Sequence, residues 1–198
     1  MGQYYIAIIL EGEKNPNDPS LEDGNTIKPE AIKLYMVSYR YWNGAKLMEH
    51  SYLDNNFVKQ FEYHLTKDGM FYKSRAVWAG DYADNEPNLD TNLYHIADNN
   101  FPDKIYGSSE TITKNYRYIL NHDKKQYVDK KKYKVLHPLP LLIAEGNGRG
   151  GGDYRGPFKE DIGIWARDVI SVDEEIPEGY EESDAGFNYD ESSDKSDK

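Results

Sequence analysis

Residues 3–10 read QYYIAIIL: Gln3, Tyr4, Tyr5, Ile6, Ala7, Ile8, Ile9, Leu10. The run is uncharged, rich in aromatic and β-branched side chains, and too short for a helix of ordinary length. It reads as a buried strand, and the rest of the chain must supply the layers that bury it. Residues 31–42 alternate in character (Ile32, Leu34, Met36 against Lys33, Tyr35, Val37) and predict a second strand with both faces partly covered. Residues 75–79, RAVWA, predict a third. Residues 116–121 and 126–128 flank His122-Asp123-Lys124-Lys125 and predict a β-hairpin. Residues 162–172, IGIWARDVISV, predict a final strand.

One helix stands out. Asp54, Asn55 and Asn56 offer N-caps, and Phe57, Val58, Phe61 and Leu65 form an apolar stripe that ends near Lys67, with Gly69 as C-cap. Residues 11–29 predict an exposed loop, and residues 85–110 at most short helical turns. In residues 135–144, VLHPLPLLIA, Pro138 and Pro140 deny a full ladder and predict an extended edge segment. The expectation is a single α+β domain over residues 1–172: a mostly antiparallel sheet, one clear helix and long loops. Residues 173–198 are expected to be an acidic, disordered tail.

Composition narrows the classes. The chain has 198 residues, within the range of one domain. Leu, Ile, Val and Phe make up about 20% of it, on the border of foldability. Eighteen Tyr and three Trp supply the missing buried area, and Trp78 and Trp165 are expected in the core. There is no Cys, so no disulfide scaffold, and no apolar run of membrane-spanning length. The start carries no basic stretch before its apolar run, and Ile6 stands where a myristoylation signal needs Ser or Thr. A cytoplasmic location is expected, in a host cell if the source is viral. The net charge is −11, but residues 171–198 hold eleven acids and two bases, which leaves only −2 for residues 1–170. A near-neutral body argues against an acidic DNA mimic and against a basic nucleic-acid binder.

Three groups of residues carry candidate chemistry. Residues 146–156 hold six of the sixteen glycines and two of the six arginines. Gly148, Gly150, Gly151 and Gly152 would turn backbone N–H groups toward an anion, and Arg149, Arg155 and the nearby Arg167 would supply planar forks for phosphate or carboxylate. The string matches G-x-G-x-x-G, but no helix can follow through Gly152, Gly156 and Pro157, so a dinucleotide site fails on context. The second group is acids and histidines: Asp81, Asp84 and Asp153 as metal ligands, with Glu49, His50 and His137 as catalytic candidates. His64 falls on the apolar side of the helix and is expected in the core, while His95 and His122 are expected in solvent. The third group, Lys124, Lys125, Lys130, Lys131, Lys132 and Lys134, is interleaved with Tyr127 and Tyr133. Such a pattern suits single-stranded nucleic acid, but Asp123 and Asp129 interrupt it, and a solvated hairpin edge is the favoured reading.

The blocks Met1-Gly2-Gln3-Tyr4-Tyr5, Lys46-Leu47-Met48-Glu49-His50, Val77-Trp78-Ala79-Gly80-Asp81, His137-Pro138-Leu139-Pro140-Leu141-Leu142 and Gly148-Arg149-Gly150-Gly151-Gly152-Asp153 resemble a group of uncharacterised proteins of bacteria, phages and large DNA viruses. The resemblance implies a whole domain over residues 1–168 and a microbial or viral source, and brings no catalytic residues. Three functions follow from the residues themselves. The first is binding of an anionic small ligand, a nucleotide or phosphate, by the loop 146–156. The second is hydrolysis of a phosphoester assisted by a divalent metal ion. The third is a non-enzymatic interaction with a host or partner protein through the Tyr-rich surface or the acidic tail.

Overall fold

A computed structural model describes residues 2–11, 31–42, 44–100, 116–149, 152, 154 and 158–187. The expected strand at the start is β1 (Tyr5–Leu10), buried at every position. Its antiparallel neighbours are β2 (Ile32–Met36) and β3 (Ser74–Gly80). The hairpin is β4 (Tyr118–Asn121) and β5 (Gln126–Asp129). β6 (Ala144–Glu145) runs parallel to the end of β3, β7 (Val169–Asp173) joins the start of β3 to β4, and β8 (Glu181–Glu182) runs parallel to β5. The sheet order is β2-β1-β3-β7-β4-β5-β8, with β6 beside β3. It is the mostly antiparallel sheet of an α+β fold.

Side-chain alternation splits the core across two faces. On the first face, Ala7, Ile9, Ala76, Trp78, Ile119 and Val172 belong to one cluster. Three helices cover it: α1 (Leu47–His50), α2 (Asn56–His64) and, further along the chain, a short proline-containing helix. On the second face, Ile6, Ile8, Val77 and Ala79 pack under α3 (Leu93–Asn100), and the short proline-containing helix is α4 (Pro138–Leu142). α2 is the helix expected from the sequence: Asn55 caps it by accepting from Val58 N (3.2 Å), and Phe57, Val58, Phe61 and Leu65 are fully buried. Burying one such side chain stabilises by ~1.5–3 kcal/mol.

Several expectations need correction. The strand over 31–42 stops at Met36, and a 3-10 helix, Ser38–Tyr41, follows. Leu65, not Gly69, is the C-cap of α2. Residues 85–110 contain α3, started by Asn92, whose side chain accepts from His95 N (3.0 Å). The expected edge segment 135–144 is α4 followed by β6. Pro138 takes the first helical position, where the missing N–H has no intrahelical partner to lose. The strand expected at 162–172 is a run of turns until Val169, because Gly163 (φ 80°) and Arg167 (φ 66°) adopt left-handed backbone. Trp78 and Trp165 are both fully buried, as expected, though Trp165 lies in those turns.

The boundary expected at 172/173 falls inside β7, and Asp173 is buried. The chain packs onward to Phe187, which is 1% exposed and lies against Tyr133 and Phe158. Two aromatic anchors, Tyr180 and Phe187, give this acidic stretch the apolar area that charge counting overlooks. Residues 188–198 lie outside the described residues. Among the described residues no helix is long and apolar enough to cross a membrane.

Candidate functional site

The chemistry-bearing blocks meet at one end of the sheet, where β1 begins and β2, β3 and β6 finish. Tyr4 N donates to Asp81 Oδ1 (2.9 Å), and Asp81 N donates to Tyr4 O (2.9 Å). Tyr4 also bridges to Lys46, at the start of α1, where Lys46 N donates to Glu49 Oε2 (2.8 Å). Glu49 is thus a capping group.

Gln3 explains much of the glycine content. Its buried amide sits among Gly80, Gly146 and Gly152. A Cβ on these residues would come within 2.4, 2.7 and 1.9 Å of the Gln3 side chain. With the amide oriented as its neighbours require, Gln3 donates to Tyr5 Oη (3.0 Å) and accepts from the N–H of Tyr82 and Ala83 (both 3.2 Å). Two of the loop glycines are therefore needed by a side chain of this protein, independently of any ligand.

The proposed anion groups fare differently from one another. Gly148 N donates to both carboxylate oxygens of Asp84 (3.1 and 3.0 Å). This N–H does hold an anion, and the anion is internal. Arg149 ends a short 3-10 turn, Asn147–Arg149. Gly150, Gly151, Asp153 and Arg155 lie outside the described residues. Arg167 is not available to a ligand, contrary to expectation. Its Nε donates to Glu145 Oε2 (2.6 Å), its Nη1 donates to Glu86 Oε2 (2.9 Å), and its Nη2 bonds both carboxylates. Burial alone would lower the guanidinium pKa, but the bonds to Glu86 and the charge of Glu145 outweigh it and raise it. Arg167 with Glu86 and Glu145 forms a buried triad.

The catalytic candidates are held in structural roles. His50 Nδ1 accepts from Trp78 Nε1 (2.8 Å), so Nε2 carries the proton and donates to Gly44 O (2.8 Å). Burial pushes this imidazole down to about 4, which keeps it neutral. His137 Nδ1 accepts from Leu139 N (3.2 Å) and caps α4, while its Nε2 lies 3.3 Å from Glu62 Oε1. Burial would raise the Glu62 carboxyl, but Lys130 Nζ (2.9 and 3.0 Å) and His137 overcome it and hold it down at about 2. His50 and His137 share no side-chain partner among these bonds. Asp81 and Asp84 both accept backbone N–H groups, and among the described residues no group of three or more His, Cys, Asp or Glu could hold a metal ion. His64 is buried and His95 exposed, as expected; His122 is half-buried and bonded, not simply solvated.

Sequence reasoning missed the most exposed feature of this end. Tyr4 (49% exposed) precedes β1, Tyr39 (63%) and Trp42 (99%) follow β2, and Tyr82 (57%) follows β3. Tyr52 (50%) follows α1. These are five of the seven exposed large hydrophobic side chains among the described residues. Trp42 also has φ 57°, a conformation a bulky residue adopts only under constraint. The alternation of residues 31–42 hid the rim, because Tyr39 and Trp42 fall within what reads as one strand.

No family model, no curated protein and no solved structure matches this chain.

Proposed function

We infer that this is a protein-interaction domain whose contact surface is the aromatic end of the sheet. The observation that carries this reading is that exposed Tyr4, Tyr39, Trp42 and Tyr82 follow or precede the ends of β1, β2 and β3 that lie together at one end of the sheet. Tyr and Trp are the side chains that dominate binding hot spots, and monomer surfaces ordinarily scatter exposed apolar residues singly. The groups an enzyme would need there hold the fold instead: His50 holds Trp78, Glu49 caps α1, and Arg167 is neutralised. A cytoplasmic setting belongs to the same proposal.

The test compares the parent with Trp42→Gly combined with Tyr82→Ser. Both side chains are exposed, so stability should stay within ~0.5 kcal/mol. A partner captured with the intact chain should bind the variant at least tenfold more weakly. Equal affinity would move the interface elsewhere. A second reading rests on the Gly148 N–H, which already binds a carboxylate. A phosphate or nucleotide would replace Asp84 there. A melting-temperature rise with phosphate or nucleotide, and none with divalent cations alone, would favour that reading.

A further inference from the structure

The lysine-rich hairpin and the acidic stretch that follows β7 have opposite and equal charge. Residues 116–134 hold seven Lys and Arg against Asp123 and Asp129, a net of +5, of which Lys130 is committed to Glu62 and Lys124 to Asp168. Residues 174–182 hold five glutamates and no base, a net of −5. The fold lays one on the other. Glu181 N donates to Lys125 O (3.0 Å) and Ser183 N to Tyr127 O (2.8 Å), so β8 extends the β5 edge. Lys132 Nζ pairs with Glu182.

The sheet face beside this contact carries a second feature. Tyr118 on β4 and Tyr127 on β5 lie on the same face, with ring centroids 5.8 Å apart. The Arg117 guanidinium, itself bidentate to Asp129 (3.0 and 2.6 Å), sits 4.9 Å from the Tyr118 ring. Aromatic rings on neighbouring antiparallel strands, flanked by Lys and Arg, stack unpaired bases and neutralise phosphates. We propose that the β4–β5 hairpin face is a binding surface for single-stranded nucleic acid, and that the acidic residues 174–182 mask it in the free chain. The tyrosine pair selects nucleic acid over other polyanions, which have no bases to stack. The mask is held by the two paired residues of β8, by Tyr180 on His122 (2.7 Å) and by Glu182 on Lys132. Phe187 anchors the chain beyond it, so the glutamates can be displaced without releasing the core. The hairpin and the mask cancel in the charge count, so the net charge of −11, carried by the remaining residues, hides the basic face.

The test is fluorescence anisotropy of labelled oligo-dT and of heparin at low salt, with the full chain. Glu181→Lys with Glu182→Lys should tighten oligo-dT binding at least tenfold. That affinity should fall steeply with added salt, as counterion release requires. Adding Tyr118→Leu and Tyr127→Leu, which keep apolar volume and remove the rings, should weaken oligo-dT about tenfold and leave heparin unchanged. Circular dichroism and melting confirm that each variant is folded. Milder Glu181→Gln with Glu182→Gln repeats the first comparison should charge reversal unfold the chain. No oligo-dT binding by either unmasked variant overturns the proposal. Loss of heparin in parallel with oligo-dT on removing the rings overturns its nucleic-acid half.

Discussion

The second face of the sheet is built differently on its two sides. Under α3 it is mostly apolar: Ile8, Val77 and Leu93 are fully buried in one cluster with Ile6, Leu10 and Ala79. Over β7 and β4 it is polar. There Ser171 Oγ donates to Asp173 Oδ2 (2.8 Å), His122 Nε2 donates to Ser171 Oγ (2.8 Å), and His122 Nδ1 accepts from Tyr180 Oη (2.7 Å). Tyr72 Oη adds a bond to Asp173 (3.1 Å). Between the two halves, where Glu145 on β6 meets the turn before β7, sits the triad of Arg167, Glu86 and Glu145. The apolar half gives non-directional stability. The polar half fixes one register of the C-terminal stretch and makes that register sensitive to pH.

The largest effect should come from the seam. Arg167→Met removes the guanidinium shared by the buried Glu86 and Glu145 carboxylates and should cost ~3–5 kcal/mol in urea denaturation at neutral pH. A loss below ~1 kcal/mol would mean that water reaches the seam and that the halves are not separated by a buried charge.

Next comes the apolar half. Leu93→Ala removes a fully buried side chain from α3 and should cost about 3 kcal/mol. A near-neutral result would show that α3 covers its face loosely, and the contrast with the polar half would collapse.

The smallest effect is local and depends on pH. Burial, with help from the Lys73 charge, holds His122 below the usual imidazole value, against the opposing pull of Asp173 and Asp123. The folded state therefore prefers neutral His122. Its contribution is present above the unfolded pKa of about 6.5 and is lost as pH falls from there through the folded value. A protonated ring cannot accept from Tyr180. Amide exchange at Glu181 and Ser183 should accelerate across this window, and His122→Gln should flatten the response. His50 weakens the whole fold in the same direction, down to about 4, so global melting alone would mix the two. Unchanged exchange at both amides would remove the pH-sensitive role.

The parts of the fold legible in sequence are those whose cause is local. β1 is one apolar run, α2 has its cap and stripe within a dozen residues, and the hairpin closes over four. α4 was hidden because Pro138 and Pro140 forbid a strand ladder and say nothing against a first helical turn. The turns before β7 were hidden because positive φ at Arg167, a residue that ordinarily avoids it, has no sequence signature. The candidate site was harder still. Arg167 was visible as one of few arginines, but Glu86, which neutralises it, lies 81 residues away. The glycines near 150 were visible, yet Gln3, which fills the space at two of them, stands at the other end of the chain. Type and spacing point to what a residue is able to do; its partners decide whether the capacity is free.

The three tryptophans also divide unevenly between solvent and core. Trp78 and Trp165 are 0% exposed, whereas Trp42 is 99% exposed at the aromatic end. In the folded protein a neutral collisional quencher such as acrylamide reaches one indole and is shielded from the other two. Quenchable emission therefore reports on the aromatic end, and blue-shifted unquenched emission reports on the core. One unlabelled sample can thus separate occupation of that end from loss of structure, as two independent optical channels.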